Sequence, residues 1–106
     1  MNASVKVMNS YDYCHFEVAL SADDVTLEQV DILRKEAQRL VDKAIKQYKI
    51  AKQIADNMPD SYLTARVKEM KKIKKSERTP EQKAEIQAYE DRVFRSRYDY
   101  EDDWDE

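Results

Sequence analysis

The sequence predicts an α+β protein that is mostly helical. An N-terminal β-hairpin is expected to pack on a long helix, followed by two shorter helices and a disordered acidic tail. Two runs between positions 4 and 20 alternate apolar and polar residues, which is the period of a strand. Over residues 26–57 the apolar residues recur three and four apart, which is the period of a helix. We therefore expect one domain over residues 1–98 and a flexible tail over residues 99–106.

The N-terminal hairpin is predicted from its two alternating runs. Val5 and Val7 share one face of the first run, and residues 9–12 between the runs have the composition of a turn. The apolar face of the second run consists of Cys14, Phe16, Val18 and Leu20. An isolated hairpin is marginally stable in water, so it should pack on the helix or gain strands from another chain. Pairing of two chains through strand edges would favour a dimer.

The long helix organises the rest of the prediction. It should begin after Thr26, a suitable N-cap, and end before Pro59. A helix of this length is about 45 Å long, whereas a compact domain of this size has a radius of gyration of about 13 Å. Its apolar stripe is therefore expected to contact a second copy, most simply as a dimer, or another protein. The residues predicted to form this self-association stripe are Val30, Ala37, Leu40, Ala44, Tyr48 and Ala51. The alternative is that the C-terminal helices cover the stripe within one monomer.

Two shorter helices are predicted after Pro59. The second helix should begin at Asp60 or Ser61 and continue to about Lys75. The third has the clearest start, with Thr79 as the cap, Pro80 at the first helical position and Gln82 placed to reach back. It should run to about residue 97. Its predicted buried face comprises Ile86, Tyr89, Val93 and Phe94.

The composition argues against several functional classes. The chain has 106 residues and no glycine, which the usual phosphate-binding loops and dinucleotide fingerprints require. A single cysteine does not form an internal disulfide, which indicates a reducing compartment. We expect no enzyme activity, no cofactor, no metal site and no membrane segment. A cytoplasmic location is expected, in the host cell if a phage encodes the chain.

Cys14 and His15 are adjacent, which is the composition of a nucleophile and its base. Neighbours on a strand point to opposite faces, so this pair is not expected to form a hydrogen bond. Cys14 is more simply a small buried hydrophobic residue. A metal site from His15 and Glu17 would need further ligands from a second chain.

The distribution of charge offers two candidate sites. The overall charge is −3, but residues 58–78 carry +4 and residues 79–106 carry −6. The basic cluster could bind nucleic-acid phosphates or could be a solvated helix face. Its members are Lys68, Lys71, Lys72, Lys75 and Arg78. The acidic tail carries aromatic residues that could anchor it in a basic groove of a partner. Its predicted partner-binding residues are Asp99, Tyr100, Glu101, Asp102, Asp103, Trp104 and Asp105.

In small size, helical build, absence of catalytic motifs and acidic tail, the chain resembles the accessory proteins of phage and prophage genomes. These include inhibitors of host defence nucleases and helpers of single-stranded DNA metabolism. The tail also resembles the acidic, aromatic-containing tails of single-stranded DNA-binding proteins. The resemblance implies a non-enzymatic module that binds and regulates, and could inhibit, a protein that handles nucleic acid. The alternative function is direct binding of single- or double-stranded nucleic acid by the basic cluster.

Overall fold

The computed structural model describes the backbone of residues 1–102 and the side chains of residues 1–96. Two strands, β1 (Ala3–Tyr11) and β2 (Cys14–Ala22), precede three helices. The helices are α1 (Leu27–Asp56), α2 (Asp60–Met70) and α3 (Pro80–Asp102), with a 3-10 turn at Lys75–Glu77. The fold is therefore α+β and mostly helical, with an N-terminal hairpin, a long helix and two shorter helices, as predicted. The chain forms two compact units, Met1–Gln47 and a second that begins at Tyr48.

The hairpin is longer than predicted and turns at a different place. β1 and β2 pair antiparallel without interruption from Ala3 opposite Ala22 to Tyr11 opposite Cys14. The turn therefore consists of Asp12 and Tyr13, and residues 9–11 belong to the strand. Both turn residues have positive φ, 53° and 65°, as in the tight turn that matches the twist of a hairpin. The turn lacks the glycine that usually marks this geometry, which is why composition misplaced it.

The predicted apolar face of the hairpin is confirmed. Phe16 is buried, while Val5, Val7, Val18 and Leu20 are half-buried. The intervening residues are exposed, and across this outer face Lys6 forms an ion pair of 3.2 Å with Glu17. The two faces of the hairpin thus follow directly from the period of two.

α1 begins with a reciprocal capping box. The Thr26 amide donates to Gln29 Oε1 at 2.8 Å, and the Gln29 amide donates to Thr26 Oγ1 at 3.3 Å. Four residues along its stripe are fully buried: Ala37, Val41, Tyr48 and Ala55. Two of them, Ala37 and Tyr48, belong to the predicted self-association stripe, so the chain itself covers part of that stripe.

The second unit is a small helical assembly with its own core. α2 and α3 pack together with the end of α1, and the core consists of Ala55, Leu63, Val67, Met70, Ile86 and Ala88. The same capping box starts α3, with Thr79 and Gln82 exchanging bonds of 2.9 and 3.2 Å. All five residues from Ala84 to Ala88 are buried, so this part of α3 is covered on every side. α3 is therefore the central element of the unit.

The end of α2 and the exposure of Phe94 differ from the sequence prediction. α2 ends at Met70 instead of near Lys75, since a longer helix would place Lys68, Lys71, Lys72 and Lys75 on one face with like charges adjacent. Phe94 is 69% exposed instead of buried. In the part of the chain that the structure describes, no helix combines the length and the hydrophobicity that crossing a membrane requires.

Candidate functional site

A groove of about 340 Å³ lies along α2 and α3. Its lining residues are Asp60, Leu63, Thr64, Tyr89, Arg92, Val93 and Ser96. Three of its polar residues, Asp60, Thr64 and Arg92, form hydrogen bonds with other parts of the fold. The Thr64 hydroxyl donates to the Asp60 carbonyl at 2.7 Å, and Arg92 is bound on three sides. Thr64 and Arg92 therefore contribute to the local structure of the helices that line the groove.

Arg92 is the main polar contact of the second unit. Its guanidinium donates to the Ala55 carbonyl at 2.7 Å, the Asp56 carbonyl at 2.6 Å and Asp60 Oδ1 at 3.1 Å. The two carbonyls belong to the last turn of α1, where backbone acceptors lack partners within the helix. A cation at that position also interacts favourably with the helix dipole. Arg92 on α3 therefore caps α1 and ties it to the start of α2.

Arg66 and Glu85 join α2 to α3. Two guanidinium nitrogens donate to the two Glu85 oxygens at 2.7 and 2.8 Å. Glu85 is 8% exposed, and the Arg66 guanidinium also lies 5.7 Å from the centre of the Tyr62 ring. The bond to Glu85, with a further contribution from Tyr62, raises the pKa of Arg66. A nearly buried carboxylate such as that of Glu85 requires a hydrogen-bonded cation, because an unpaired buried charge is destabilising.

A second ion pair joins α3 to α1. Lys52 Nζ lies 2.8 Å from Asp91, which also accepts a bond of 2.9 Å from the Gln87 amide. Partial burial raises the pKa of Asp91, but the bonds from Lys52 and Gln87 lower it by more. The pKa of Asp91 therefore lies below the ordinary value for aspartate.

The five residues of the predicted basic cluster lie in different local structures and make different contacts. Lys68 lies in α2, Lys71 and Lys72 follow the last residue of α2, and Lys75 belongs to the 3-10 turn. Arg78 donates to the Ile73 carbonyl at 3.2 Å, so it holds the connection to α3. Lys72 pairs with Glu69 at 3.3 Å, and Lys71 lies 4.0 Å from Glu90. The four lysines are nevertheless all exposed.

The predicted partner-binding segment falls at the end of α3. Asp99, Tyr100, Glu101 and Asp102 are in the helix, whose last turn contains no basic residue. Asp103, Trp104 and Asp105, together with the predicted flexibility of residues 103–106, lie outside the described residues. The helix extends five residues beyond the predicted end at residue 97.

The predicted self-association stripe is partly occupied by intrachain packing. Ala37 and Tyr48 are fully buried. Val30, Leu40, Ala44 and Ala51 are half-buried. The exposed apolar residues of α1 lie elsewhere: Leu27, Ile32, Ile50 and Ile54 are each more than half exposed. Neither Ile32 nor Ile50 belongs to the predicted stripe.

Cys14 and His15 lie on opposite faces of β2, as the strand period predicts. Cys14 is half-buried, and His15 is exposed with its Nδ1 2.9 Å from Ser10 Oγ, a hydrogen bond between the strands. The sequence reasoning missed Ser10 as the partner of His15, because it placed residue 10 in the turn. The register that pairs Ser10 with His15 became evident only from the structure.

No group of three or more metal-binding side chains occurs within the described residues. Every buried side-chain nitrogen and oxygen there has a hydrogen-bond partner. Comparison with known proteins found no matching family model, no matching curated protein and no matching solved structure.

Proposed function

We propose that this chain is a non-catalytic interaction protein, which binds a nucleic-acid-handling protein through the acidic end of α3 and regulates it. One observation carries the proposal: the acidic residues Asp99, Glu101 and Asp102 occupy the C-terminal end of a helix. The C-terminus of a helix carries a partial negative charge, so acids there are electrostatically unfavourable. A basic surface on a partner would offset both the partial negative charge of the helix end and the charges of the acidic residues. Proteins that bind nucleic acid present such a surface.

The rest of α3 supports this role. The helix is buried on every side between Ala84 and Ala88, and the bonds of Arg92 fix it further along. The acidic end thus extends from a segment whose position the fold determines. An anchored helix loses less conformational entropy on binding than a free acidic chain would.

Affinity capture from the source cell tests the proposal. The bait is the full chain, and the matched control replaces all six acids of residues 99–106 with their amides, which keeps size and hydrogen bonding. We expect the full chain to retain nucleic-acid-binding proteins that the amide variant loses, and that 0.5 M salt releases. Equal capture by both baits would contradict the proposal.

Direct nucleic-acid binding is a second candidate, favoured by the exposure of Lys68, Lys71, Lys72 and Lys75. Titration with single-stranded and duplex DNA at two salt concentrations tests it. Binding through these lysines should weaken steeply with salt and should disappear when they are replaced by glutamine. Absence of binding at low salt would eliminate this candidate.

Self-association is also part of the proposal, with a dimer favoured. Fully buried residues such as Ala37 and Tyr48 have no surface for a second copy, so the half-buried members of the stripe would have to form the contact. The hairpin offers a surface that is more accessible.

A further inference from the structure

We propose that the free edge of β1 is an interface with a second copy of this chain. The two β1 strands would pair antiparallel across a twofold axis at Val7, which joins the two hairpins into a four-stranded sheet. The interface would be formed by residues of β1 alone, so the inference does not rest on the proposed partner.

The backbone of β1 provides the first argument. Because a two-residue turn closes the hairpin, Tyr11 and Cys14 form a hydrogen-bonded pair, and such pairs then alternate along the strands. The residues between them direct their amides and carbonyls away from β2: Ser4, Lys6, Met8 and Ser10. Within residues 1–102 the sheet has two strands, so β2 is the one strand neighbour of β1.

The edge also lacks the features that usually prevent pairing. β1 is nine residues long and contains no proline, and its register with β2 is continuous, without a bulge. Lys6 is its one charged residue, and Glu17 already pairs with it. A long, regular edge of this kind readily accepts another strand.

The side chains of β1 are complementary to their own copy in this register. On the half-buried face, Val7 would meet Val7 of the second copy, and the large Tyr11 would lie opposite the small Ala3. On the outer face, Lys6 would lie opposite Met8, so no like charges face each other directly. A twofold axis at Lys6 would instead oppose two lysines, which disfavours that register.

Exposed apolar surface distinguishes β1 from β2. Met8 is 55% exposed and Tyr11 is 39% exposed, and both of these large apolar residues belong to β1. Val5 and Val7 are half-buried, so the chain covers their face incompletely. Pairing through β1 would cover these side chains, whereas pairing through β2 would leave Met8 and Tyr11 exposed.

Matched prolines at the two edges test the proposal. Met8→Pro removes an amide that points away from β2, a position where edge strands tolerate proline. Ala19→Pro does the same at the edge of β2 and serves as the control. We expect sedimentation equilibrium of the full chain to show a monomer–dimer equilibrium, with a dissociation constant raised at least tenfold by Met8→Pro and unchanged by Ala19→Pro. A monomeric wild type up to 0.5 mM, or equal effects of the two prolines, would overturn the proposal.

A charge substitution keeps the test decisive if a proline unfolds the hairpin. Met8→Lys places a lysine opposite Glu17 of its own chain, which favours the hairpin, and opposite Lys6 of the second copy, which disfavours the dimer. We expect thermal stability measured at a dilution where the chain is monomeric to be kept or raised, while the dimer dissociation constant rises at least tenfold. Dimerisation as tight as in the wild type would contradict pairing in this register.

Discussion

At the scale of single residues, the turn of the hairpin holds two side chains in a strained backbone conformation. The hairpin turn places Asp12 and Tyr13 at positive φ, a region that costs residues with a side chain about 1–2 kcal/mol. Aspartate is among the residues that adopt this conformation comparatively readily, whereas tyrosine is not. Tyr13 is also 91% exposed, so its ring contributes little burial in return.

Replacement of Tyr13 by glycine should therefore stabilise the chain. We expect Tyr13→Gly to raise the free energy of unfolding by about 0.5–1 kcal/mol over Tyr13→Ala, because glycine adopts positive φ without a steric penalty. The alanine variant controls for loss of the ring. Urea denaturation measures the difference, and a glycine variant less stable than the alanine variant would contradict the assigned turn.

Asp91 should make stability depend on pH. Its pKa is lower in the folded chain than in the unfolded one, so its contribution is fully present above the unfolded value of about 3.9. That contribution is lost as the pH falls through the folded pKa. We expect Asp91→Asn to have a lower free energy of unfolding than the wild type at pH 7. The difference between the two free energies should become smaller below about pH 4.

Denaturant unfolding at a series of pH values measures this narrowing. Asp42→Asn, a substitution on the exposed side of α1, is the control and should show a smaller difference at neutral pH. A difference for Asp91→Asn that stays constant from pH 7 to pH 3 would show that its charge does not stabilise the fold.

At the scale of elements, the starts of the helices and the end of α1 before Pro59 were readable from the sequence, whereas the ends of α2 and α3 were not. Thr26 with Gln29 and Thr79 with Gln82 form the same capping box, and three-residue spacing is enough to identify it. A longer α2 would place several lysines next to one another on one face, and local propensity does not include this cost of like charges. The strand period likewise predicted the faces of the hairpin but not its turn.

The sequence patterns also did not predict the side-chain contacts that hold the second unit together. Arg92 and the carbonyls it binds are separated by 36 and 37 residues, and Arg66 and Glu85 by 19. A charged residue on a helix usually faces solvent, so nothing in the pattern distinguishes these two arginines from the others. Ile32 and Ile50 are exposed, and they lie off the apolar stripe from which the sequence prediction was made.

Arg92 should contribute more to stability than its neighbour Arg95. We expect Arg92→Met to lower the free energy of unfolding by about 2 kcal/mol, because it leaves two carbonyls at the end of α1 without their charged donor. Arg95→Met is the matched control, since exposed Arg95 contacts the Asp91 carbonyl of its own helix at 3.4 Å. Urea unfolding of both variants measures the effect. Equal losses would show that Arg92 does not act as a cap.

At the scale of the whole molecule, opposite charges occupy different parts of the chain. Residues 58–78 carry +4, and the last eight residues contain six acids. The sequence alone identified this separation, and the structure adds that the acids begin at the end of a helix anchored in the core of the second unit. The identity of a partner is not encoded in the fold, because it depends on the partner's own surface.

Competition with nucleic acid tests the central claim most directly. A protein retained in the capture experiment is bound to fluorescently labelled duplex or single-stranded DNA, and the full chain is titrated in while anisotropy is recorded. We expect the chain to displace the DNA, and the variant with six amides in residues 99–106 to require at least a tenfold higher concentration. Displacement by both forms at the same concentration, or none by the full chain, would contradict binding of the acidic end of α3 to the partner's nucleic-acid surface.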